Sequence, residues 1–358
     1  RSRQRIDGRR VADQDGCEME ATLRGEHDGA VDVGAPQQTV QQFLDERRRL
    51  GFKLQAALRM LPAFERFVAN ADHTGPLTID LMVQWASQVH ARHMVDGQAD
   101  RGTVARRLVV LRPFMRWLRQ FEPATEVPDD SSVGALPGRV APHIYCEAEM
   151  VALLDAARQL GPSDGLRAAT YTTLFGLLAS TGLRISEALN LHDADVDLDA
   201  ALLTIRQTKF GKSRQVSLHP SAIGPLATYR ALRRQHVRSS LNTTFFVGSR
   251  GVNRGEPLGD RQAHRMFEQL RRQLGWVDRG GHGQPRIHDI RHSFAVRRLI
   301  LWHEQGVDLD QRMLALSTYM GHVKISNTYW YLSGVPELMA LVGARFEHYA
   351  DLGACDYE

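Results

Sequence analysis

Arg286-Ile287-His288-Asp289-Ile290-Arg291-His292 and Gly321-His322-Val323-Lys324-Ile325-Ser326-Asn327-Thr328-Tyr329-Trp330-Tyr331-Leu332 frame the stretch on which the reading of this 358-residue chain turns. His288 and Arg291 stand three residues apart, about 300° around a helix, so they share a face. A phosphate at the helix start between them would gain backbone N–H groups as well as charge. Asp289 and His292 are expected to point elsewhere, and His292 reads as a packed structural histidine. Tyr319, Tyr329 and Tyr331 follow. A phenol with an ordinary pKa near 10 needs neighbouring cations or a base before it acts as a nucleophile. Tyr329 and Tyr331 lie about 200° apart on a helix, so only one can face such a site. The residues alone do not choose between them.

Working upstream, Thr181-Gly182-Leu183-Arg184-Ile185-Ser186-Glu187 follows a nearly uniform apolar run, Leu166 to Ser180, that predicts a buried helix. Placing Arg184 directly after such a helix is costly for a lone charge, and Glu187 is near enough to hold its guanidinium. An arginine fork stays charged and grips phosphate in bidentate fashion, so Arg184 and Arg291 suit the non-bridging oxygens of a phosphodiester. A purely structural Arg–Glu pair is the plainer alternative. Leu202–Ile205 and Gln215–Leu218 read as strands joined by a hairpin loop over 210–213. Lys209, beside that loop in Thr208-Lys209-Phe210-Gly211-Lys212-Ser213-Arg214, has the place of a cation that enters a duplex groove and protonates a leaving 5′ oxygen. Lys212 is its rival, and hairpin lysines are ordinarily just solvated. The spacings of His282, His288 and His292 match no common metal site, and His303-Glu304 lacks a second histidine four residues on, so no metal is expected.

The length suggests two domains. Hydrophobic content of 43% and charged content of 24% fit a soluble globular protein. A net charge of +4 and a pI near 9.1 permit a nucleic-acid partner without demonstrating one. Cys17, Cys146 and Cys355 are distant and odd in number, which argues against a disulfide framework or zinc site and fits a reducing cytoplasm. No apolar run approaches the roughly 18 residues of a membrane span, and the Arg-rich start lacks the apolar core of a secretion signal. Residues 1–36 read as a mobile arm, 37–125 as a helical domain, 126–142 as a linker rich in turn residues and 143–335 as a second domain. Residues 336–358 read as a last helix and tail, whose apolar stripe packs on its own domain or docks on a neighbouring protomer. In the first domain Arg101, Arg106, Arg107, Arg112, Arg116 and Arg119 occur with no acid between 101 and 120. That pattern suits phosphate neutralisation on a duplex as well as a solvated helix face. Pro113 is expected to kink or restart this helix.

The individual signals are weak, but their order and spacing resemble the tyrosine recombinase (phage integrase) family. The resemblance covers about 37–349 and is strongest in the second domain. It implies a mainly α fold with a small antiparallel β-sheet: a helical (SAM-like) core-binding domain followed by an α+β catalytic domain. It further implies a catalytic set of Arg184, Lys209, His288, Arg291, His322 and Tyr331, supported by Glu187. The nine-residue spacing from His322 selects Tyr331 over Tyr329, and the lysine hairpin favours Lys209 over Lys212. Lys212 and Arg214 join Arg101, Arg106, Arg107, Arg112 and Arg116 as expected DNA contacts. The implied function is site-specific recombination or integration of double-stranded DNA for a mobile genetic element or for dimer resolution. It would proceed through a 3′-phosphotyrosine and a Holliday junction, in a homotetramer, with accessory DNA-bending proteins or a second recombinase as further partners. Neither metal, ATP nor other cofactor would be required. A type IB topoisomerase-like relaxing enzyme and a non-catalytic DNA-binding regulator remain the alternatives.

Overall fold

A computed structural model describes residues 36–52, 54–88, 94–95, 98–129, 131, 138–162, 164–206, 213–237, 244–251, 254–335 and 338–339. Most of the arm, most of the terminal helix, Lys209 and Lys212 lie outside the described residues. The chain divides into two compact units between Gly138 and Arg139.

The first unit carries α1 (Pro36–Arg49), α2 (Ala57–Asn70), α3 (Ile79–Ser87) and α4 (Arg101–Leu118), with a two-residue hairpin of β1 (Met94–Val95) and β2 (Gln98–Ala99) before α4. Phe43, Phe64, Met82, Trp85, Leu108, Leu111 and Phe114 are all buried in one core, because each helix repeats its apolar residues at three and four positions. Thr78 caps α3 by accepting the Leu81 N–H, and Asp100 caps α4 by accepting that of Thr103. Trp117 donates its indole N–H to Glu46, tying α4 to α1. Contrary to expectation, α4 runs unbroken through Pro113. Pro113 is exposed, as is Val109 four residues before it, so water is at hand for the carbonyl that the proline cannot serve.

In the second unit α5 (Glu147–Arg158), α6 (Leu166–Thr181), α8 (Pro220–His236), α9 (Asp260–Leu274) and α10 (Asp289–Glu304) surround an apolar centre. The short α7 (Ile185–Leu189) leads from α6 to a three-stranded antiparallel sheet in the order β3 (Val196–Asp197), β4 (Leu202–Ile205), β5 (Arg214–Ser217). Pairing of Leu203 with Val216 turns both into the core, and pairing of Ile205 with Arg214 fixes where that arginine stands. The strand β3 escaped the sequence reading because two residues inside an acidic turn carry no alternation to detect. Downstream, α10, α11 (Leu309–Met320) and α12 (Ser326–Gly334) share a second apolar cluster of Ala295, Val296, Leu299, Met313, Leu316, Met320, Tyr331 and Val335. Among the described residues no helix is long and apolar enough to cross a membrane.

Two helix ends shape the site. Gly182 (φ +63°) ends α6 and Gly321 (φ +67°) ends α11, each in the left-handed conformation that L side chains resist. Gly182 also lies against the Phe294 ring, with no room for a Cβ, whereas Gly275 (φ +65°), which caps α9, has open space around it. Gly275→Ala is therefore expected to cost about 1–2 kcal/mol of backbone strain. Gly182→Ala is expected to cost about 1–3 kcal/mol more through the collision with Phe294. Urea unfolding would show equal losses for the two variants if the α6 end relaxes freely, against the larger loss expected for Gly182→Ala.

Candidate active site

The site grows from the carbonyls that these two glycine turns leave unpaired. Arg291, buried on α10, donates Nη1–H to the Gly182 carbonyl at 2.6 Å and Nη2–H to the Met320 carbonyl at 2.7 Å. Helix C-termini carry partial negative charge, so a guanidinium is stabilised where two of them converge. Arg184 reaches the same turn through Nη2 to the Gly321 carbonyl (3.1 Å), and Arg214 through Nε to that of Tyr319 (2.8 Å).

Glu187 joins the outer two arginines. It accepts Nη1–H of Arg184 at 2.8 Å, both terminal nitrogens of Arg214 at 3.0 and 2.9 Å, and the Arg184 backbone N–H at 3.0 Å. Burial pushes its carboxyl up, but the Arg214 hydrogen bonds and the charges of Arg214 and Arg184 hold it at about 2. Three guanidiniums thus face one carboxylate. Burial pulls Arg291 down to about 10, helped by Arg184, which leaves it fully charged at neutral pH. An arrangement with this surplus of fixed positive charge is built to receive an anion.

Three histidines line the same region. His322 follows Gly321 and places Nδ1 2.7 Å from the hydroxyl of buried Thr328. Burial, then Arg291 and Arg184, pull its imidazole down to about 3. His288 is exposed at the start of α10, and its imidazole is held below its ordinary value by the packed atoms around it and by Arg291 and Arg286. His292 lies one turn on, its ring 5.0 Å from that of His288.

Tyr331 is only 1% exposed. Its ring lies near parallel to that of His322 at 6.4 Å, and its hydroxyl is 2.9 Å from Nδ1 of His292. Burial raises the phenol to about 12 against the opposing charges of Arg291, Arg139 and Arg184. Tyr329 is exposed with its hydroxyl toward Asp310, and Tyr319 donates to the Ser217 carbonyl on β5. Geometry therefore separates the three tyrosines that helical spacing alone could not. Among the described residues no group of acidic, histidine or cysteine side chains is arranged to hold a metal ion.

Comparison with known proteins agrees with this geometry. The phage integrase family model matches residues 146–335. The inferred integrase/recombinase y4rB of Sinorhizobium fredii is 39% identical over 313 residues, covering 87% of this chain and 96% of that protein. The chain belongs to the phage integrase family. Members of this family, the tyrosine recombinases, cut and rejoin DNA strands, and this chain is such an enzyme. The tyrosine recombinase XerC of Thermodesulfovibrio yellowstonii is 29% identical, covering 64% of this chain and 70% of XerC. Among solved structures, the integrase of transposon Tn1549, in complex with transposon right end DNA, matches with a TM-score of 0.59 at 16% identity, covering 86% of this chain and 99% of that one. The likeness confirms the fold: mainly helical, with a small antiparallel sheet.

Of the sequence-derived recombinase residues, Arg184, Glu187, Arg291, His322 and Tyr331 come together, with His288 beside them. Lys209 and Lys212 fall outside the described residues. One expectation, for His292, needs correction. Arg214, expected on DNA, is hydrogen-bonded within the protein to Glu187 and the Tyr319 carbonyl; these partners are remote in sequence, so no local pattern announces them. His292, expected to point away as packing, contacts the Tyr331 hydroxyl. Its four-residue spacing from His288 puts both rings on one helix face and was the available signal. In the first unit Arg101, Arg106 and Arg116 are exposed and Arg112 is half-buried. Arg107 turns inward, stacking on Trp85 at 4.0 Å and donating to the Gln88 carbonyl.

Two outcomes follow for the charges. The folded Glu187 carboxyl titrates below its ordinary value, so its stabilisation is full above about pH 4.5 and is lost as pH falls toward about 2. The loss is on the order of 3 kcal/mol; Glu187→Gln should be destabilised at pH 7 and show a flatter stability profile across that window in acid titrations of unfolding. In salt-dependent DNA binding, Arg106→Ala should lower the slope by about one unit. Arg107→Ala should instead destabilise the first unit by about 1 kcal/mol through the lost stacking and hydrogen bond. Equal slope changes in both would contradict this division.

Proposed function

We propose that this enzyme is a site-specific DNA recombinase in which Tyr331 attacks a phosphodiester of double-stranded DNA. The products of that step are a 3′-phosphotyrosine and a free 5′ hydroxyl. The observation that carries this reading is the phenol of Tyr331 buried beside the arginine cluster, with His322 against its ring. Arg184 and Arg291, with His288 and His322, would hold the non-bridging oxygens and stabilise the charge that grows on the pentacoordinate phosphate. Glu187, with Arg214, keeps Arg184 in place. Lys209 takes the role of general acid toward the leaving 5′ oxygen on the strength of the family motif. The cleaved bond's energy is kept in the phosphotyrosine ester, so rejoining needs no ATP. Fixed guanidiniums supply the positive charge that a metal supplies elsewhere, so no metal ion or other cofactor is invoked.

The first unit is the DNA-gripping partner in this scheme, with Arg101, Arg106, Arg112 and Arg116 on α4 as candidate phosphate contacts. Exchange of strands between two duplexes requires four active tyrosines, hence a tetramer on the recombination site. The solved Tn1549 integrase is in complex with transposon right end DNA, which supports a DNA substrate for this chain. Work on chromosomal or element DNA would place the enzyme in the cytoplasm.

A nicked suicide duplex tests the chemistry. Wild type is expected to form a covalent adduct visible as a shifted band on denaturing gels, Tyr329→Phe to retain it and Tyr331→Phe to lose it. Arg291→Ala should slow adduct formation by on the order of 10²–10³-fold. An adduct in Tyr331→Phe would refute the assignment. In a two-duplex joining assay, supercoil relaxation without recombinant product would favour the topoisomerase-like alternative.

A further inference from the structure

His292 has no role in the catalytic set described above, yet its Nδ1 lies 2.9 Å from the Tyr331 hydroxyl, within hydrogen-bond distance. The buried phenol, raised to about 12, keeps its proton at neutral pH, so the phenol donates and Nδ1 accepts. This fixes His292 as the neutral tautomer with its proton on Nε2. Burial, then His288, Arg286, Arg291 and His322, hold the imidazole down to about 3, which keeps its lone pair free. His288 stands a turn earlier, toward solvent, with the His292 ring next to it. On the other side, Trp330 lies edge-on to His292 at 6.2 Å, and Arg139 sits over the Trp330 ring at 5.7 Å while donating to Asn327 on the same helix. The imidazole is thereby held between α10 and α12, aimed at one oxygen.

We propose that His292 is a further catalytic residue, the group that takes the proton of Tyr331 as this oxygen attacks the DNA phosphate. The inference rests on Tyr331 being the nucleophile. As the O–P bond forms, the phenol O–H bond breaks and its proton passes to Nδ1. The P–O5′ bond breaks on the opposite side, and the leaving oxygen receives its proton from the general acid. Two effects make the transfer feasible from so low a starting basicity. The phosphodiester brings negative charge into a site whose cations keep the empty-state imidazole neutral. Bonding to phosphorus also drains charge from the phenol oxygen and acidifies it. In the adduct, His292 is an imidazolium facing the phosphotyrosine ester, and it returns its proton to the phenol when the 5′ hydroxyl attacks to rejoin the strand.

A suicide duplex with a 5′-bridging sulfur at the scissile phosphate isolates this step, because a thiolate leaves without needing a proton. Full-length wild type should cleave it more slowly in D2O than in H2O. His292→Ala should cleave it about 10²-fold or more slowly at saturating DNA, with DNA affinity unchanged. His292→Asn, which keeps an acceptor near the Nδ1 position but takes no proton in this pH range, should be equally slow. Four results would overturn the proposal: no solvent isotope effect in wild type, rescue of His292→Ala by the sulfur substrate, recovery by His292→Asn, or faster cleavage by either variant. Recovery by asparagine would make the residue a positioning group, and faster cleavage a brake. A Tyr331→Phe protein that still forms an adduct would instead remove the reading on which the inference stands.

Discussion

Everything in the catalytic unit leans on a guanidinium seated at the meeting of two helix ends. Arg291 is buried, and a buried charge without partners would cost several kcal/mol. The Gly182 and Met320 carbonyls meet that cost, since each belongs to a helix whose last turn has run out of N–H groups to serve them. The arrangement satisfies both sides: orphan acceptors gain a donor and the charge gains two dipole ends. It also welds α6, α10 and α11, the three elements that bring Arg184, His288 and His322 to one place.

The carboxylate of Glu187 performs the complementary task. Without it, Arg184 and Arg214 would repel each other and Arg291 across a poorly hydrated space. With it, the cluster remains one that a phosphate can enter, because a single buried anion does not neutralise three cations. The imidazoles nearby then stay neutral, which leaves them able to accept or donate single protons rather than adding further to the charge.

Much of this was legible from residue order. The apolar run ahead of Gly182 marked α6, the three-residue spacing of Arg184 and Glu187 marked their ion pair, and the shared face of His288 and Arg291 marked the start of α10. These are local periodicities, and helices write them plainly into sequence. What escaped was made by contacts between distant segments. Arg214 meets Glu187 and Tyr319 only after β5 has paired with β4, and the Tyr331 hydroxyl finds His292 only after α12 folds onto α10. The family pattern chose Tyr331 over Tyr329 where helical geometry alone stopped at their opposition. The continuity of α4 through Pro113 was misjudged because proline's cost depends on which side of the helix faces water.

Position 321 carries a lesson out of proportion to its size. A β-carbon there would stand 2.7 Å from Nη1 of Arg214, which grips Glu187, which in turn grips Arg184. One added methyl would therefore be felt at Arg184 by two routes, through Arg214 and Glu187 and through the Gly321 carbonyl that Arg184 already holds. The enzyme's tolerance to sequence drift is set here by an unfilled volume, at a residue that contributes no side chain to the chemistry.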